Sequence, residues 1–149
     1  MSLFKMTSHK DEVLDELDSK IEKALEMIGL EAEKYAKMKC PVDSGRLRNS
    51  ISHLVSGQGQ KTVEYKAMEY YTTKAGKKSK RRKSVDYSYK TGDASGDNSN
   101  SVYIGTNVEY APYVEFGTSK QKPQPYLKPA VTDHLGKYKR ILKETLKED

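Results

Sequence analysis

The chain has 149 residues, of which 35% are hydrophobic and 32% are charged. This length is typical of one domain, which we assign to residues 1–149, but the low apolar content means that the core is small or that part of the chain lies outside it. The single cysteine excludes an intrachain disulfide. No run of about 18 apolar residues is present, which excludes a membrane-spanning helix.

Residues 11–39 are predicted to form one long helix, because apolar residues recur at steps of three and four. These residues are Leu14, Leu17, Ile21, Leu25, Ile28, Ala32 and Tyr35. Pro41 should end the helix, since a proline pushes the residue before it, Cys40, out of the helical region. Gly29 is a weak point inside the helix.

A short helix is expected directly after Pro41, within the stretch PVDSGRLRNSI. Asp43 or Ser44 can cap it, because both side chains accept hydrogen bonds from exposed backbone N–H groups. Leu47 and Ile51 are four residues apart and so lie on one side of it. That side should face the core.

Two strands are predicted on either side of a basic segment. Residues 61–71 alternate between apolar and polar side chains, and the alternation slips at Met68, which indicates a bulge or the end of the strand. Residues 101–106 predict a second strand. We expect these two strands to form one hairpin, with residues 74–98 as the long loop that joins them.

Residues 74–98 carry most of the net charge. They hold eight Lys or Arg and three Asp, which is +5 of the total of +6. Such a segment buries too little surface to offset its ordering entropy, so we expect a flexible basic insertion loop. Its cations can contact phosphates or an acidic neighbour, although a solvated loop without specific contacts is an equally good interpretation. These cations are Lys77, Lys78, Lys80, Arg81, Arg82 and Lys83.

The stretch VEYAPYVEFGT, residues 108–118, contains the one tempting pair of acids, Glu109 and Glu115. If the stretch contains a helical turn, the two carboxylates point to different faces and cannot share a substrate atom. We therefore predict a structural corner rather than a catalytic loop. Pro112 would start a short helix, and Gly117 would close it with a left-handed residue.

Two contacts of this corner can also be predicted. Glu115 is expected to pair with an arginine such as Arg46 or Arg48. The packing surface of the corner is expected to come from Tyr110, Tyr113, Val114 and Phe116. A hydrolase that uses Glu109 or Glu115 is the weakest of the functional alternatives.

A second helix is predicted after the extended, proline-rich residues 119–126. Pro129 fits its first turn, and Gly136 weakens it near the middle. Its apolar stripe consists of Val131, Leu135, Tyr138, Ile141, Leu142 and Leu146. The elements together predict an α+β fold, with a long N-terminal helix and a C-terminal helix packed on a small antiparallel sheet, and a long basic loop between two strands.

No pattern in the sequence predicts a metal site, a cofactor or a catalytic nucleophile. His9, His53 and His134 do not have the spacing of metal ligands, and a lone cysteine supplies no CxxC pair. Cys40, at a helix end beside a proline, is expected to be a small buried residue. Tyr87 and Tyr89 could stack on bases, but no nucleic-acid-binding motif surrounds them.

Three patches of the chain resemble the signature of a family of small tail-component proteins of long-tailed bacteriophages and prophages. They are CPVDSGRLRNSI (40–51), VEYAPYVEFGT (108–118) and QPYLKPA (124–130), and their order and spacing both match. The chain departs from the usual pattern at Ser44, where threonine is common, at Lys128, where arginine is common, and in its long basic loop. The residues that match the motifs, and whose role is expected to be structural, are Pro41, Asp43, Gly45, Leu47, Tyr110, Tyr113, Glu115, Phe116, Gly117, Thr118, Pro125, Leu127 and Pro129.

The resemblance implies a non-catalytic virion protein of the neck or tail-completion region, made in the bacterial host cytoplasm. Its implied partners are copies of itself in a ring, for which a hexamer is one candidate, the connector or head-completion protein, and the tail-tube or tail-terminator protein. No cofactor and no membrane are implied, and contact with DNA would be non-specific. The alternative is a small nucleic-acid-binding protein that uses residues 74–98.

Overall fold

The computed structural model describes residues 2–147, and its side chains from residue 13 onward. Its longest element is helix α1, Ser2–Lys39, which begins before the predicted residue 11. The amide of Cys40 still donates to the carbonyl of Ala36, at 2.9 Å. The helix then ends, as predicted, before Pro41.

Eight further elements follow α1, and they confirm the α+β fold. The helices are α2 (Arg46–Ser50), α3 (Ala111–Phe116), α4 (Leu127–Thr132) and α5 (Leu135–Lys147). The strands are β1 (Ser52–Val55), β2 (Thr62–Thr72), β3 (Lys78–Lys90) and β4 (Val102–Gly105). Strand β1 pairs with β4, and β2 pairs with β3, both antiparallel.

The predicted pairing between residues 61–71 and 101–106 is therefore wrong, and most of the predicted basic loop is strand β3. In a two-stranded ribbon only every second residue needs to face the body of the protein. The apolar residues of β3 (Val85, Tyr87 and Tyr89) meet this requirement, because they lie opposite Ala67, Tyr65 and Val63 of β2. Asp86 and Ser88, which alternate with them, are exposed, and the lysines and arginines in the first half of the strand obscure this pattern in the sequence.

The irregularity expected at Met68 also lies elsewhere. Met68 stays in register, opposite Ser84. The register shifts between Tyr70, opposite Arg82, and Thr72, opposite Lys78. The buried hydroxyl of Ser79 fills this bulge, since it accepts from the amide of Tyr71 at 3.0 Å and donates to the carbonyl of Arg81 at 2.6 Å.

The single C-terminal helix of the prediction is two helices, α4 and α5, separated by a turn at Asp133 and His134. The turn places the ring of His134 flat against Tyr35 of α1, with 3.5 Å between ring centroids. It also directs α5 along α1, where Lys137 forms a 3.0 Å ion pair with Glu31. Stacking and charge on α1 thus favour the break over a continuous helix.

Strand β1 is fixed on α1 through a buried histidine, His53, which is 6% exposed. Its Nδ1 lies 2.6 Å from a carboxylate oxygen of Glu33, and its Nε2 lies 2.7 Å from one of Glu26. These hydrogen bonds, with that to Glu33 the stronger influence, raise the pKa of His53 despite its burial. The ring lies directly over Gly29, where a Cβ atom would be 2.4 Å from Cδ2 of His53. The glycine that weakens α1 therefore makes room for the histidine.

Candidate functional site

The three sequence patches, which are distant along the chain, meet in one hydrophobic cluster. Its buried members in the described part of the chain are Ala36, Cys40, Leu47, Ile51, Val108, Ala111, Tyr126 and Ala130. All of them except Ala36 belong to the patches 40–51, 108–118 and 124–130. The patches therefore build the centre of the fold, and some of their residues, among them Leu47 and Val114, also line a cleft beside it.

The corner formed by α3 has the predicted helical turn, and Gly117 ends this helix as predicted. Pro112 lies in the first turn of α3, and the amide of Gly117 donates to the carbonyl of Tyr113 at 2.9 Å. Gly117 has φ 76° and ψ 176°, a region that residues with a side chain rarely adopt. A Cβ atom at this position would also lie 2.7 Å from the backbone nitrogen of Pro123. Both observations explain why the position holds glycine.

Glu115 does not pair with an arginine, contrary to the prediction. Its side chain is 8% exposed. One carboxylate oxygen accepts from the amides of Tyr126 at 2.7 Å and Leu127 at 3.2 Å, and the other accepts from the amide of Lys128 at 2.8 Å. These amides precede or begin α4, where they have no partner within the helix. Glu115 therefore joins α3 to α4 and serves the fold.

The arginine of this region, Arg46, binds the other acid of the stretch, Glu109. Its two terminal nitrogens lie 3.1 and 3.0 Å from the two oxygens of Glu109. The guanidinium also lies 5.0 Å from the ring centre of Tyr87 and 5.7 Å from that of Tyr110. Arg46 thus connects α2, the β2–β3 hairpin and the start of α3. This role is not predictable from the sequence, because all the partners of Arg46 are distant along the chain.

Two aromatic residues of the corner are exposed rather than packed. Tyr113 is 59% exposed and Phe116 is 79% exposed. Since they are three residues apart, they share the outer face of α3. Tyr110 and Val114, four residues apart, share the inner face and pack against the hydrophobic cluster. The predicted packing surface is correct for the inner pair and wrong for the outer pair.

The remaining motif residues support the surrounding turns. The N-cap residue of α2 is Gly45, with φ 84°, so the predicted cap by Asp43 or Ser44 is wrong. Ser44 still supports the start of the helix, because its hydroxyl accepts from the amide of Arg46 at 3.1 Å. Thr118 closes a turn through its amide, which donates to the carbonyl of Gln121 at 2.9 Å. Leu127 packs against the cluster, Pro41 and Pro129 are half-buried, and Pro125 is exposed.

The predicted basic residues lie at the far end of the β2–β3 hairpin. Lys77 is in the turn before β3, and the others are in the first part of the strand. Lys78 and Arg82 lie over the ring of Tyr70, at 4.3 and 4.7 Å from its centre, and Lys83 lies over Tyr71 at 5.2 Å. Lys80 and Arg81 are exposed in the bulge between them. The structure thus places the predicted cations together at one end of the β2–β3 hairpin.

Arg82 also ties the hairpin to the body of the protein. Its terminal nitrogens donate to the carbonyl of Asp43 at 2.7 Å and to the carboxylate of Asp43 at 2.9 Å.

The two tyrosines that could stack on bases have other contacts. Tyr87 stacks on Tyr65 with 5.3 Å between ring centroids, and the hydroxyl of Tyr89 donates to the carbonyl of Ser50 at 2.6 Å.

The residues examined for chemistry are engaged in the fold. Burial raises the pKa of the Cys40 thiol to about 11, so the thiol stays protonated at neutral pH and is a poor nucleophile. As predicted, Glu109 and Glu115 point to different places: Glu109 binds Arg46, and Glu115 binds backbone amides at the start of α4. Among the residues with described side chains, no group of three or more His, Cys, Asp or Glu could hold a metal ion. The side chain of His9 lies outside that range.

Comparison with known proteins identifies the family of this chain. Residues 4–117 match the family model HK97-gp10_like, whose description reads "Bacteriophage HK97-gp10, putative tail-component". The chain belongs to this family. An HK97-gp10-like tail component is a protein of the virion. None of the described helices of this chain is long and apolar enough to cross a membrane. Neither the curated proteins nor the solved structures yielded a match.

Proposed function

We propose that this tail component is a non-catalytic subunit of a neck or tail-completion ring, which acts at the head–tail junction in head–tail joining and tail assembly. The observation that carries the proposal is that some residues of the motifs serve the fold while others are exposed to solvent. Their buried and polar groups, such as Glu115 and the Arg46–Glu109 pair, are used by the fold itself, while Tyr113 and Phe116 face outward. Motifs that build a core and present an aromatic surface suit an assembly protein.

The proposed partners are copies of the same chain in a ring, the connector or head-completion protein, and the tail-tube or tail-terminator protein. Exposed aromatic side chains are enriched at the centres of protein interfaces, where they contribute much of the binding energy. Phe116, at 79% exposure, is costly to leave in water unless a partner covers it. The aromatic face of α3 is therefore the surface that we assign to a neighbouring virion protein.

Deletion of the gene from its phage, followed by complementation in trans, tests this function. We expect the deletion lysate to contain DNA-filled heads and separate tails, and the parent gene to restore infectious particles. A variant with Tyr113→Ser and Phe116→Ser should fold but fail to complement. The control Leu135→Ser removes an apolar side chain that is 50% exposed on another helix, and it should complement. Normal particles in the deletion lysate would refute the proposed role.

The second candidate function is nucleic-acid binding through residues 74–98. It is favoured by the stretch 74–83, which holds seven Lys or Arg and no acid. A protein of this kind would bind any duplex with an affinity that falls steeply with salt. Binding of the purified chain to short DNA duplexes over a salt series tests it, and the absence of binding at low salt would exclude it.

A further inference from the structure

The described N-terminal part of α1 is an unpartnered surface. Every residue from 13 to 19 is exposed, including Val13 at 61%, Leu14 at 46% and Leu17 at 41%. This segment, VLDELDS, has three acids and no base. A helical segment gains most of its stability from tertiary packing. Among the residues whose side chains the structure describes, such packing is sparse for this segment, although Asp18 lines an open cleft with Asp97 and Asn98. We refer to residues 13–19 as the helix end.

The far end of the β2–β3 hairpin has the opposite charge. Residues 68–83 include three exposed large apolar side chains, Met68 at 48%, Tyr70 at 42% and Tyr71 at 37%. Met68 and Tyr70 share the outer face of β2 because they are two residues apart. Four cations of this segment have no partner side chain among the residues whose side chains the structure describes: Lys74, Lys77, Lys80 and Arg81. We refer to residues 68–83 as the hairpin end.

The two ends are far apart along the axis of α1. The hairpin end is tied to Asp43, which is only four residues beyond the C-terminal residue of α1, Lys39. The helix end lies at least 20 residues before Lys39, which is about 30 Å along the helix axis. The acidic helix end and the basic hairpin end of one chain therefore do not meet each other.

We propose that the helix end of one copy binds the hairpin end of the next copy. The acids Asp15 and Asp18 would face unpartnered cations such as Lys80, and Leu14 and Leu17 would cover the apolar outer face of β2. Because the two surfaces are different, each copy keeps one of each for a further neighbour, and a suitable rotation closes such a head-to-tail contact into a ring. The inference rests on the proposed ring function and assigns the surfaces that form it.

A second copy fits the hairpin end better than a nucleic acid does. Phosphates would neutralise the cations but would leave Met68 and Tyr70 exposed, and the helix end would gain no partner. The helix end offers acids and leucines together, so one contact covers the apolar and charged groups of both surfaces. Complementary charge also fixes the register of such a contact and excludes like-charged pairings.

Charge reversal on each surface, followed by mixing, tests the contact. The hairpin variant carries Lys80→Glu and Arg81→Glu, and the helix variant carries Asp15→Lys and Asp18→Lys. The control carries Lys120→Glu and Lys122→Glu, which changes the net charge as much as the hairpin variant does, in an exposed loop. Analytical ultracentrifugation over a concentration series measures self-association, and circular dichroism checks that each variant is folded.

We expect the mass of the parent to rise with concentration, and the rise to weaken with salt. Each reversed variant alone should associate about tenfold more weakly or worse, because like charges then face each other. An equal mixture of the two variants should recover the association, since each reversed surface then meets a complementary one. The control should behave like the parent.

Three results would overturn the contact: a parent that stays monomeric at the highest concentration, reversed variants that associate like the parent, or a mixture that fails to recover. A hairpin variant that loses binding to a short DNA duplex but self-associates like the parent would identify the hairpin end as a nucleic-acid arm and would also overturn it. These results leave the head–tail role standing, because the deletion lysate tests that role without reference to this contact.

Discussion

Replacing Glu115 by glutamine removes the charge of this buried side chain but keeps its shape. The carboxylate accepts three backbone hydrogen bonds, from the amides of Tyr126, Leu127 and Lys128. A glutamine has one oxygen, so it keeps at most the two bonds to Tyr126 and Leu127. Its NH₂ group then faces the amide of Lys128, and both donors are left without an acceptor.

The expected loss in the free energy of unfolding follows from these bonds. A hydrogen bond to a charged acceptor contributes about 1.5–3 kcal/mol, and the two bonds that remain become neutral and therefore weaker. We expect Glu115→Gln to cost about 3 kcal/mol. Glu115→Ala, which removes every acceptor and leaves three amides unpaired, should cost about 4–5 kcal/mol or more.

Urea unfolding followed by circular dichroism measures these losses, and Glu109→Gln provides the matched control. Glu109 is in the same stretch and binds Arg46, but its side chain is 70% exposed, so its replacement should change stability much less. Amide hydrogen exchange gives a second readout, since Glu115→Gln should accelerate exchange at residues 126–128. If Glu115→Gln unfolds at the same urea concentration as Glu109→Gln, the assigned role of Glu115 is wrong.

Three further substitutions are expected to change stability in defined directions, measured by the same unfolding assay. Gly117→Val should cost about 3 kcal/mol, because the backbone conformation and the approach of Pro123 both exclude a side chain; a parent-like midpoint would contradict this. Tyr126→Phe should stabilise the protein by about 1 kcal/mol, because the buried Tyr126 hydroxyl has no hydrogen-bond partner among the described residues; a loss of stability would reveal a partner. We expect the parent to lose stability as the pH rises above about 6.5, and His53→Gln should remove this loss. A raised folded-state pKa means that the contribution of His53 is complete below its unfolded pKa and disappears as the pH rises through the folded one; a parent whose stability is flat from neutral to alkaline pH would refute this.

The two carboxylates that flank His53 make the stability of the protein depend on pH in the acidic range as well. Although burial opposes the shift, their hydrogen bonds to His53 lower the pKa values of Glu26 and Glu33. Their contribution is therefore complete above the unfolded pKa of about 4.3 and is lost as the pH falls through the folded pKa. The His53 group should contribute most between about pH 4.5 and 6.5.

The features that the sequence predicted correctly depend on local signals. A proline ends a helix within one residue, so Pro41 predicts the end of α1 correctly. A glycine with positive φ commonly ends a short helix, so Gly117 predicts the end of α3 correctly. Both effects operate within a few bonds of the residue concerned. Neighbouring structure therefore cannot easily override them.

The features that the sequence did not predict depend on partners that are distant along the chain. The sequence of β3 indicates a loop because lysines and arginines dominate its first half, and only pairing with β2 gives its alternating apolar residues a surface to face. The sequence predicts an arginine as the partner of Glu115, because nothing around α4 indicates that its first amides lie beside this carboxylate. The outward position of Tyr113 and Phe116 was, in contrast, open to prediction, since their spacing of three places them together on one face of α3.

Gold labelling of intact virions with an antibody against this chain, viewed by electron microscopy, tests the central claim most directly. The account places the protein at the head–tail junction, so the label should appear there, on complete particles and on whichever separated part retains the ring. Labelling along the whole tail would contradict the proposed position. Virions that carry no label and no detectable amount of the chain would contradict the claim that it is a structural part of the particle.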